Sequence, residues 1–272
     1  EEKALLRQLS IELEQRNRFV MEQEGHEVNG RYFSRFKFSH ILFQNYFYKR
    51  MCKGERRLLH AHIANAIEKL YGNQLDIVTV QLAQHLHHAG DYNRAFSYYI
   101  QAGEQAASIY ANDEAISHFS QAIDLLSKLS PDSIYKGKPY QERSRVYEMI
   151  GKFEFALDDL ETALDLTSNI DDPLVKWQIL IDLGKLWASR DLHLAKEYFE
   201  TALDLARSID QPKILADSLN WVGNWHTNAD EPQTALRFHQ EALSIVDQIN
   251  TPQVLANTLD LLGISNLMGG NL

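Results

Sequence analysis

Hydrophobic and polar positions repeat with a long period in the C-terminal half of the chain. Three blocks with helical apolar spacing recur 39 and 40 residues apart: 174–184 (LVKWQILIDLG), 213–223 (KILADSLNWVG) and 253–263 (QVLANTLDLLG). Three further blocks alternate with them, each carrying two alanines seven residues apart: 156–166, 195–205 and 235–245. The pattern predicts two helices per period, and neighbouring pairs must stack because one pair cannot cover its own apolar face.

The residues between these blocks predict where the helices begin and how they pack. An Asp or Asn precedes a proline by two residues in Asp171-x-Pro173, Asp210-x-Pro212 and Asn250-x-Pro252. We expect that side chain to cap the helix and the proline to occupy the first turn, where no N–H is needed. Gly184, Gly223 and Gly263 share one phase, and their missing side chains should let a second helix approach closely.

The N-terminal part has a different pattern. A helix is predicted over 2–16, with its apolar side formed by Leu5, Leu6, Leu9 and Leu13. Residues 18–24 and 32–38 have strand character, and Asn29-Gly30 between them is a hairpin turn signal. Ser39 is expected to cap the next helix. Further helices are predicted over 54–70, 75–88, 92–109 and 113–128.

Several positions resemble the tetratricopeptide repeat (TPR), which has Leu-Gly-x-x-Tyr in its first helix and Ala-x-x-x-Phe-x-x-Ala in its second. Leu183-Gly184 with Trp187 matches the first part, and Ala195 with Phe199 and Ala202 matches the second. The family period is about 34 residues, so the units here are longer. The resemblance covers roughly 76–272. It implies an all-α fold, a right-handed superhelix of TPR-like helix pairs, preceded by a small N-terminal β-hairpin from a partial winged helix.

A second resemblance covers residues 30–128. FKFSHILFQNYFYKR, GERRLLHAHIANAIEKLYG and HHAGDYNRAFSYYIQAGEQA follow in the order seen behind the nucleotide-binding core of bacterial STAND-class signal-transduction ATPases. In that family a winged helix and then a helical-repeat sensor follow the core, and the sensor receives an inducer or a partner protein. The resemblance implies a bacterial, cytoplasmic protein. Its implied domains are a partial winged-helix module at 1–50, a helical linker with degenerate repeats at 51–133, and a repeat array at 134–272.

The chain begins within a charged helical pattern and stops at 269–272, where a second helix is expected, so we interpret it as part of a longer, truncated protein. Residues 1–73 hold 13 Lys/Arg and 9 Asp/Glu, a net +4, whereas residues 74–272 hold 14 and 28, a net −14. The acidic repeats argue against nucleic acid there. DNA binding or domain packing stays open for a basic patch of Arg31, Arg35, Lys37, Lys49, Arg50, Lys53, Arg56 and Arg57.

Motifs for catalysis are absent from the sequence. No phosphate-binding loop, Gly-x-Ser-x-Gly or His-Glu-x-x-His occurs, and no apolar run reaches the roughly 18 residues of a membrane span.

The single Cys52 forms no internal disulfide, which fits a reducing compartment. His60 and His62 point apart on a helix, while His85, His87 and His88 lack further ligands. We interpret them as packed or surface residues and expect no metal or cofactor. Paired carboxylates such as Asp158-Asp159 are interpreted as solvated outer faces.

The TPR resemblance implies that the first helices line a concave groove. Among its inward positions, transferred residue by residue, the predicted partner contacts are Gln178, Lys185, Asp217, Asn220, Asn224, Asn228, Asn257 and Asp260. Amide groups offer donors and acceptors that suit a peptide backbone or a sugar. Core packing is favoured over ligand stacking for Trp177, Trp187, Trp221 and Trp225.

We predict a non-enzymatic sensor or interaction region that binds a protein or peptide, with a small-molecule inducer as an alternative. The rival functions are a free-standing scaffold or adaptor, a small-molecule sensor and a DNA-binding regulator.

Overall fold

The computed structural model describes residues 4, 7–28, 30–129, 136–167, 172–249 and 251–270. By internal contacts the chain divides into two compact units, Glu1–Ile109 with Asp124–Pro131 and Tyr110–Ile123 with Asp132–Leu272. Within the described part of the chain, no helix is both long and apolar enough to cross a membrane.

The first unit begins with a β-hairpin. A π-helical segment, Gln8–Arg16, leads into strands β1 (Val20–Val28) and β2 (Arg31–Phe38), which pair antiparallel with Val20 opposite Phe38. The predicted hairpin is therefore confirmed, and Gly30 has the positive φ of 73° that a tight turn requires. Leu5, Leu6 and Asn29 lie outside the described residues. The winged-helix assignment stays a prediction.

Helices complete the first unit. They are α1 (Ile41–Arg50), α2 (Lys53–Tyr71), α3 (Thr79–Ala89) and α4 (Tyr92–Ser108), with a 3₁₀ turn at Leu75–Val78. The expected cap at Ser39 is wrong, because the Ser39 hydroxyl donates to the carbonyl of Phe19 at 3.1 Å. His40 caps α1 instead, its Nδ1 accepting the N–H of Leu42 at 3.1 Å.

The second unit is built from antiparallel helix pairs. After α5 (Asn112–Leu125), which crosses the unit boundary and ends in a 3₁₀ turn at Leu126–Lys128, seven helices follow among the described residues. These are α6 (Lys138–Met149), α7 (Phe153–Thr167), α8 (Pro173–Ala188), α9 (Leu192–Ser208), α10 (Pro212–Asn228), α11 (Pro232–Val246) and α12 (Pro252–Met268). Turns of three residues join α6 to α7, α8 to α9 and α10 to α11. We call α6, α8, α10 and α12 the first helices and α7, α9 and α11 the second helices. The all-α class and the successive pairs confirm the sequence prediction.

The helix starts differ from the expectation by one residue. Each proline occupies the first turn as predicted, but the capping position is the residue directly before it. The Asp172 carboxylate accepts the N–H groups of Leu174 and Val175 at 3.0 and 3.3 Å. Gln211 and Thr251 occupy the same position without a side-chain cap. The expectation for Asp210 is therefore wrong, and Asp171 and Asn250 lie outside the described residues.

The small residues lie where first and second helices cross. A Cβ atom added at Gly184 would lie within 2.9 Å of three Phe199 ring atoms, and one at Gly223 within 2.9 Å of three His239 ring atoms. Alanines 156, 163, 195, 202, 235 and 242 of the second helices are all fully buried. The expected close approach is confirmed at Gly184 and Gly223. It does not hold at Gly263, where no heavy atom lies within 4 Å of an added Cβ.

Substitution of these glycines should therefore have opposite effects at different positions. Gly184→Ala should destabilise the fold by about 1–3 kcal/mol, because the methyl group must displace the Phe199 ring. Gly263→Ala should stabilise it by up to about 1 kcal/mol, because only helix propensity changes there. Urea unfolding of both variants measures the difference. Equal effects would show that the crossing at Gly184 does not limit the helix spacing.

Candidate partner-binding groove

Successive first helices contact one another directly. Within the second unit α10 contacts both α8 and α12, in addition to its pairing with α11. Buried side-chain hydrogen bonds link each of these helices to the next. They join Trp177 Nε1–H to Ser218 Oγ at 2.7 Å, Asn220 Nδ2–H to Thr258 Oγ1 at 2.7 Å, and the hydroxyls of Thr227 and Ser265 at 2.9 Å. Because such bonds are directional and costly to break when buried, they fix how the first helices are aligned.

Asp182 organises the polar groups of α6 and α8. It is only 7% exposed, yet its carboxylate accepts hydrogen bonds from Gln141 at 3.0 Å and from Arg145 at 3.0 Å. On its own helix it also accepts from Gln178 at 3.3 Å and from Lys185 at 3.5 Å. Two predicted groove residues, Gln178 and Lys185, are thus held by an acid that the sequence analysis did not single out. The sequence could have indicated this role, because Asp182 is four residues after Gln178 and three before Lys185, and residues at these spacings share one face of a helix.

Asp217 is the predicted groove residue with the most unusual surroundings. It lines a depression of about 580 Å³ together with Lys213, Thr251, Pro252, Gln253, Val254 and Asn257. Burial raises the pKa of the Asp217 carboxyl, while Lys213 and Lys185 act in the opposite direction. Among the described residues no side chain or backbone group forms a hydrogen bond or ion pair with this carboxylate. It is therefore a half-buried acceptor to which none of the described residues donates.

The other polar groove residues divide into free and committed groups. Asn228, Asn257 and Asp260 are exposed and Asn224 is half-buried, and no side-chain bond of these four is formed within the described ranges. Asn220 is different, because it is only 3% exposed and both ends of its amide are bonded. The structure therefore places Asn220 in the packing between helices and leaves Asp217, Asn224, Asn228, Asn257 and Asp260 available to a partner.

The hydrogen bonds around Asn220 determine which atom donates and which accepts in each bond. Thr258 Oγ1–H donates to the Val254 carbonyl at 2.8 Å, so it accepts from the Asn220 amide nitrogen. The Asn220 oxygen must then accept from His239 Nδ1–H, at 3.1 Å. His239 is fully buried and its Nε2 has no partner within the part of the chain that the structure describes. Burial lowers the pKa of His239 to about 4, so the ring is neutral at pH 7.

The tryptophans of the first helices serve mainly in packing. Trp177 is 6% exposed, and Trp187 packs edge-on against Phe153 with ring centres 5.0 Å apart. Trp221 stacks on Phe199 at 5.7 Å. The Trp225 indole N–H donates to the Leu192 carbonyl at 2.7 Å. Lys185 and Lys196 lie 4.8 and 4.9 Å from the Trp221 and Trp225 ring centres. These contacts agree with the core packing favoured by the sequence.

Histidines 60, 85 and 88 come together in the first unit, which their sequence spacing did not predict. His60 on α2 lies with its Nδ1 2.8 Å from Nδ1 of His85 on α3, and its ring centre is 4.7 Å from that of His88. Tyr48 bonds the other ring nitrogen of His60 at 3.0 Å. Burial is the main cause that lowers the pKa of His60 and of His85. Within the described ranges, no group of three or more His, Cys, Asp or Glu residues is arranged to hold a metal ion.

Other residues that the sequence analysis considered for function form hydrogen bonds or ion pairs within the fold. Cys52 caps α2, its sulfur accepting the Glu55 N–H at 3.5 Å while the Glu55 carboxylate accepts the Cys52 N–H at 2.7 Å. The interpretation of Asp159 as a solvated acid is wrong, because it is 5% exposed and pairs with Arg143 at 2.7 Å. Part of the basic patch is also committed: Arg56 donates to the carbonyls of Met51 and Lys49, and Arg57 to that of Ala89.

No protein-family model matches the chain. An uncharacterised protein of Rhizobium meliloti (strain 1021) is 31% identical over 93 residues. The matched stretch is 34% of this chain and 9% of that protein, so the chain corresponds to a small part of its relative.

Solved structures share the fold with the chain. The apo form of RapI aligns over 80% of this chain and 60% of its own, with a TM-score of 0.62 and 18% identity. A STAND-class signal-transduction ATPase with a tetratricopeptide repeat sensor from Pyrococcus horikoshii aligns over 85% of this chain and 36% of its own, at 0.61 and 15%. A Rap protein complexed with competence and sporulation factor aligns over 85% and 65%, at 0.55 and 15%. At these identities the similarity shows the fold alone, which is a TPR-like helical repeat.

The buried histidine predicts an acid-sensitive fold. The pKa of His239 is about 6.5 when the chain is unfolded and about 4 when it is folded, so its contribution to stability is complete above pH 6.5 and falls as the pH drops towards 4. His239→Phe should reduce the loss of unfolding free energy between pH 7 and pH 4.5 by about 2–3 kcal/mol. Urea unfolding at the two pH values measures this loss. His193→Phe, at an exposed position, is the control, and an unchanged loss in His239→Phe would contradict the assignment.

Proposed function

We propose that this chain is a non-enzymatic interaction module that binds an extended protein or peptide segment along the first helices. The observation that carries the proposal is Asp217. Half-burial makes ionisation of this carboxylate less favourable, as its raised pKa reflects, and no donor among the described residues bonds to it. A partner that brings an N–H or ammonium group to this position would remove that penalty. Asp217 is therefore better placed to accept a hydrogen bond from a partner than to stabilise the free fold.

The surroundings of Asp217 support a peptide as the partner. Asn257 on the neighbouring first helix and Asn224 on the same helix offer amide donors and acceptors within the described region, and a peptide backbone needs both. The depression beside Asp217 is about 580 Å³, which accommodates one or two side chains of a bound segment. A Rap protein complexed with competence and sporulation factor has the same fold, which supports a role in ligand reception.

Charge differs along the groove. Arg145, Lys185 and Asn224 each follow the small residue at the crossing position, Ser144, Gly184 or Gly223, so this position is basic in α6 and α8 and neutral in α10. Arg145 and Lys185 are already paired with Asp182, whereas the Asp217 carboxylate has no ion pair among the described residues. A basic or amino-terminal group of a bound segment would therefore match Asp217.

The finer proposal is that the module is the sensor of a STAND-class signalling ATPase in bacterial cytoplasm. The similarity to a STAND protein with a tetratricopeptide repeat sensor over 85% of this chain favours this context. The gene sequence upstream of Glu1 tests it directly, because a signalling ATPase requires a phosphate-binding loop there. Absence of the loop would favour the free-standing scaffold. Small-molecule sensing and DNA binding remain the rivals that the peptide experiment below separates.

The test uses peptides selected from a random displayed library on the immobilised chain, followed by titration calorimetry. Asp217→Asn should weaken the selected peptides at least about ten-fold, because a charge-assisted hydrogen bond is lost. The variant should unfold at the same or a higher temperature at pH 7. A raised carboxyl pKa lowers stability as the pH rises through it, and asparagine removes that effect.

The matched control is Asp204→Asn, an exposed acid of α9 whose ion pair is with Arg207 at 3.0 Å. It should leave peptide binding unchanged. If selected peptides bind Asp217→Asn as tightly as the parent, or if they bind only through the basic residues of the first unit, the groove is not the binding site.

A further inference from the structure

Asp217 occupies a repeat position that amides occupy in the neighbouring first helices. Gln178 in α8 lies 39 residues before it, and Asn257 in α12 lies 40 residues after it. An amide both donates and accepts hydrogen bonds, whereas an ionised carboxylate only accepts them. At this one position of the line, a bound ligand therefore has to supply donors rather than a mixture of donors and acceptors.

The depression beside Asp217 also contains groups that donate. Lys213, one turn earlier on α10, and Asn257 on α12 line it together with Asp217. Among the described residues, no hydrogen bond or ion pair involves the side chain of Lys213 or of Asn257. The other lining residues carry no charge, and they are Thr251, Pro252, Gln253 and Val254. The depression therefore presents one carboxylate, one ammonium group and one amide to a ligand.

A peptide amino terminus supplies groups that match all three. Its α-ammonium group has three N–H donors, and the carbonyl of the same residue, one carbon away, is an acceptor. A lysine or arginine side chain has donors but no acceptor beside its charge. Such a side chain would bring a second cation next to Lys213 and give the Lys213 ammonium and the Asn257 amide nothing to donate to. The composition of the depression therefore favours a chain end over an internal basic side chain.

We propose that the depression between α10 and α12 binds the free amino terminus of a peptide. The α-ammonium group donates to the Asp217 carboxylate, and the carbonyl of the first residue accepts from the Asn257 amide or the Lys213 ammonium. The first side chain of the peptide occupies the rest of the depression, whose volume is about 580 Å³. This inference rests on the groove proposed above and adds which part of the partner binds at Asp217.

The charge of the amino terminus gives the proposal a pH signature. An α-ammonium group has a pKa of about 7.7–8.0, well below the value of about 10.4 for lysine. The charged groups that act on the Asp217 carboxylate are Lys213 on α10 and Lys185 on α8, while the lining residues of α12 are uncharged. Neither lysine changes its charge between pH 7 and pH 9. Binding should therefore weaken about ten-fold over this range, because the free peptide loses the proton that Asp217 needs.

The experiment uses peptides selected as above from a library displayed with free amino termini. Each peptide is synthesised in two forms, with a free or an acetylated amino terminus, and titrated calorimetrically against the 272-residue chain. At pH 7 acetylation should weaken binding at least about ten-fold, because it removes the charge and two of the three donors. Replacement of internal lysine or arginine residues of the peptide by glutamine should leave this difference between the two forms unchanged.

The matched protein variants are Asp217→Asn and Asp204→Asn. The effect of acetylation and the loss of binding between pH 7 and pH 9 should both persist in Asp204→Asn and both disappear in Asp217→Asn.

The two proposals fail in different ways. If the free and acetylated peptides bind the parent equally well while Asp217→Asn weakens both, the amino-terminal assignment is overturned and the groove stands. An acetylation effect that persists in Asp217→Asn would place the amino terminus elsewhere and overturn the assignment as well. If no peptide is selected, or if binding does not depend on Asp217 at all, both proposals are overturned.

Discussion

The repeat packing depends on the distance at which each second helix can approach its first helix. At Gly184 and Gly223 the ring of Phe199 or His239 occupies the space that a Cβ atom would take. Fully buried alanines on the same second helices keep the rest of the crossing equally close. Steric repulsion rises far more steeply than any attraction falls, so the glycine of the first helix and the alanines of the second helix limit the spacing of the α8–α9 and α10–α11 pairs.

Successive first helices are near enough for side chains to bond across a full repeat. Trp177 bonds to Ser218, and Asn220 to Thr258, and the partners are 41 and 38 positions apart in sequence. Such bonds contribute little net free energy but are expensive to leave unmade, so they select one alignment of the helices. That alignment commits Asn220 to the packing, whereas Asp217, one turn earlier on α10, has no donor among the described residues. The proposed binding residue is therefore a consequence of how the first helices align.

The sequence predicts this fold well where the determining contacts repeat, and poorly where they are unique. The Gly and Ala phases recur every 39 or 40 residues, so helix pairs and crossing positions follow from them. The hairpin follows from a local turn signal. The polar partners do not repeat: Asn220 meets His239 and Thr258, and Asp159 meets Arg143 while its neighbour Asp158 stays exposed. Such pairings depend on rotamers and on a helix one repeat away, which periodicity alone does not encode.

The ring that packs against the crossing glycine is Phe199 at Gly184 and His239 at Gly223, so the two crossings differ chemically. A charged imidazolium is unfavourable in a fully buried site, so protonation of His239 destabilises the folded state as the pH falls towards 4. The Nδ1–H of this ring donates to the oxygen of Asn220, and the nitrogen of Asn220 donates to Thr258, so the ring belongs to a hydrogen-bond chain that joins α11, α10 and α12. We therefore expect the acid sensitivity of the fold to be greatest at these three helices.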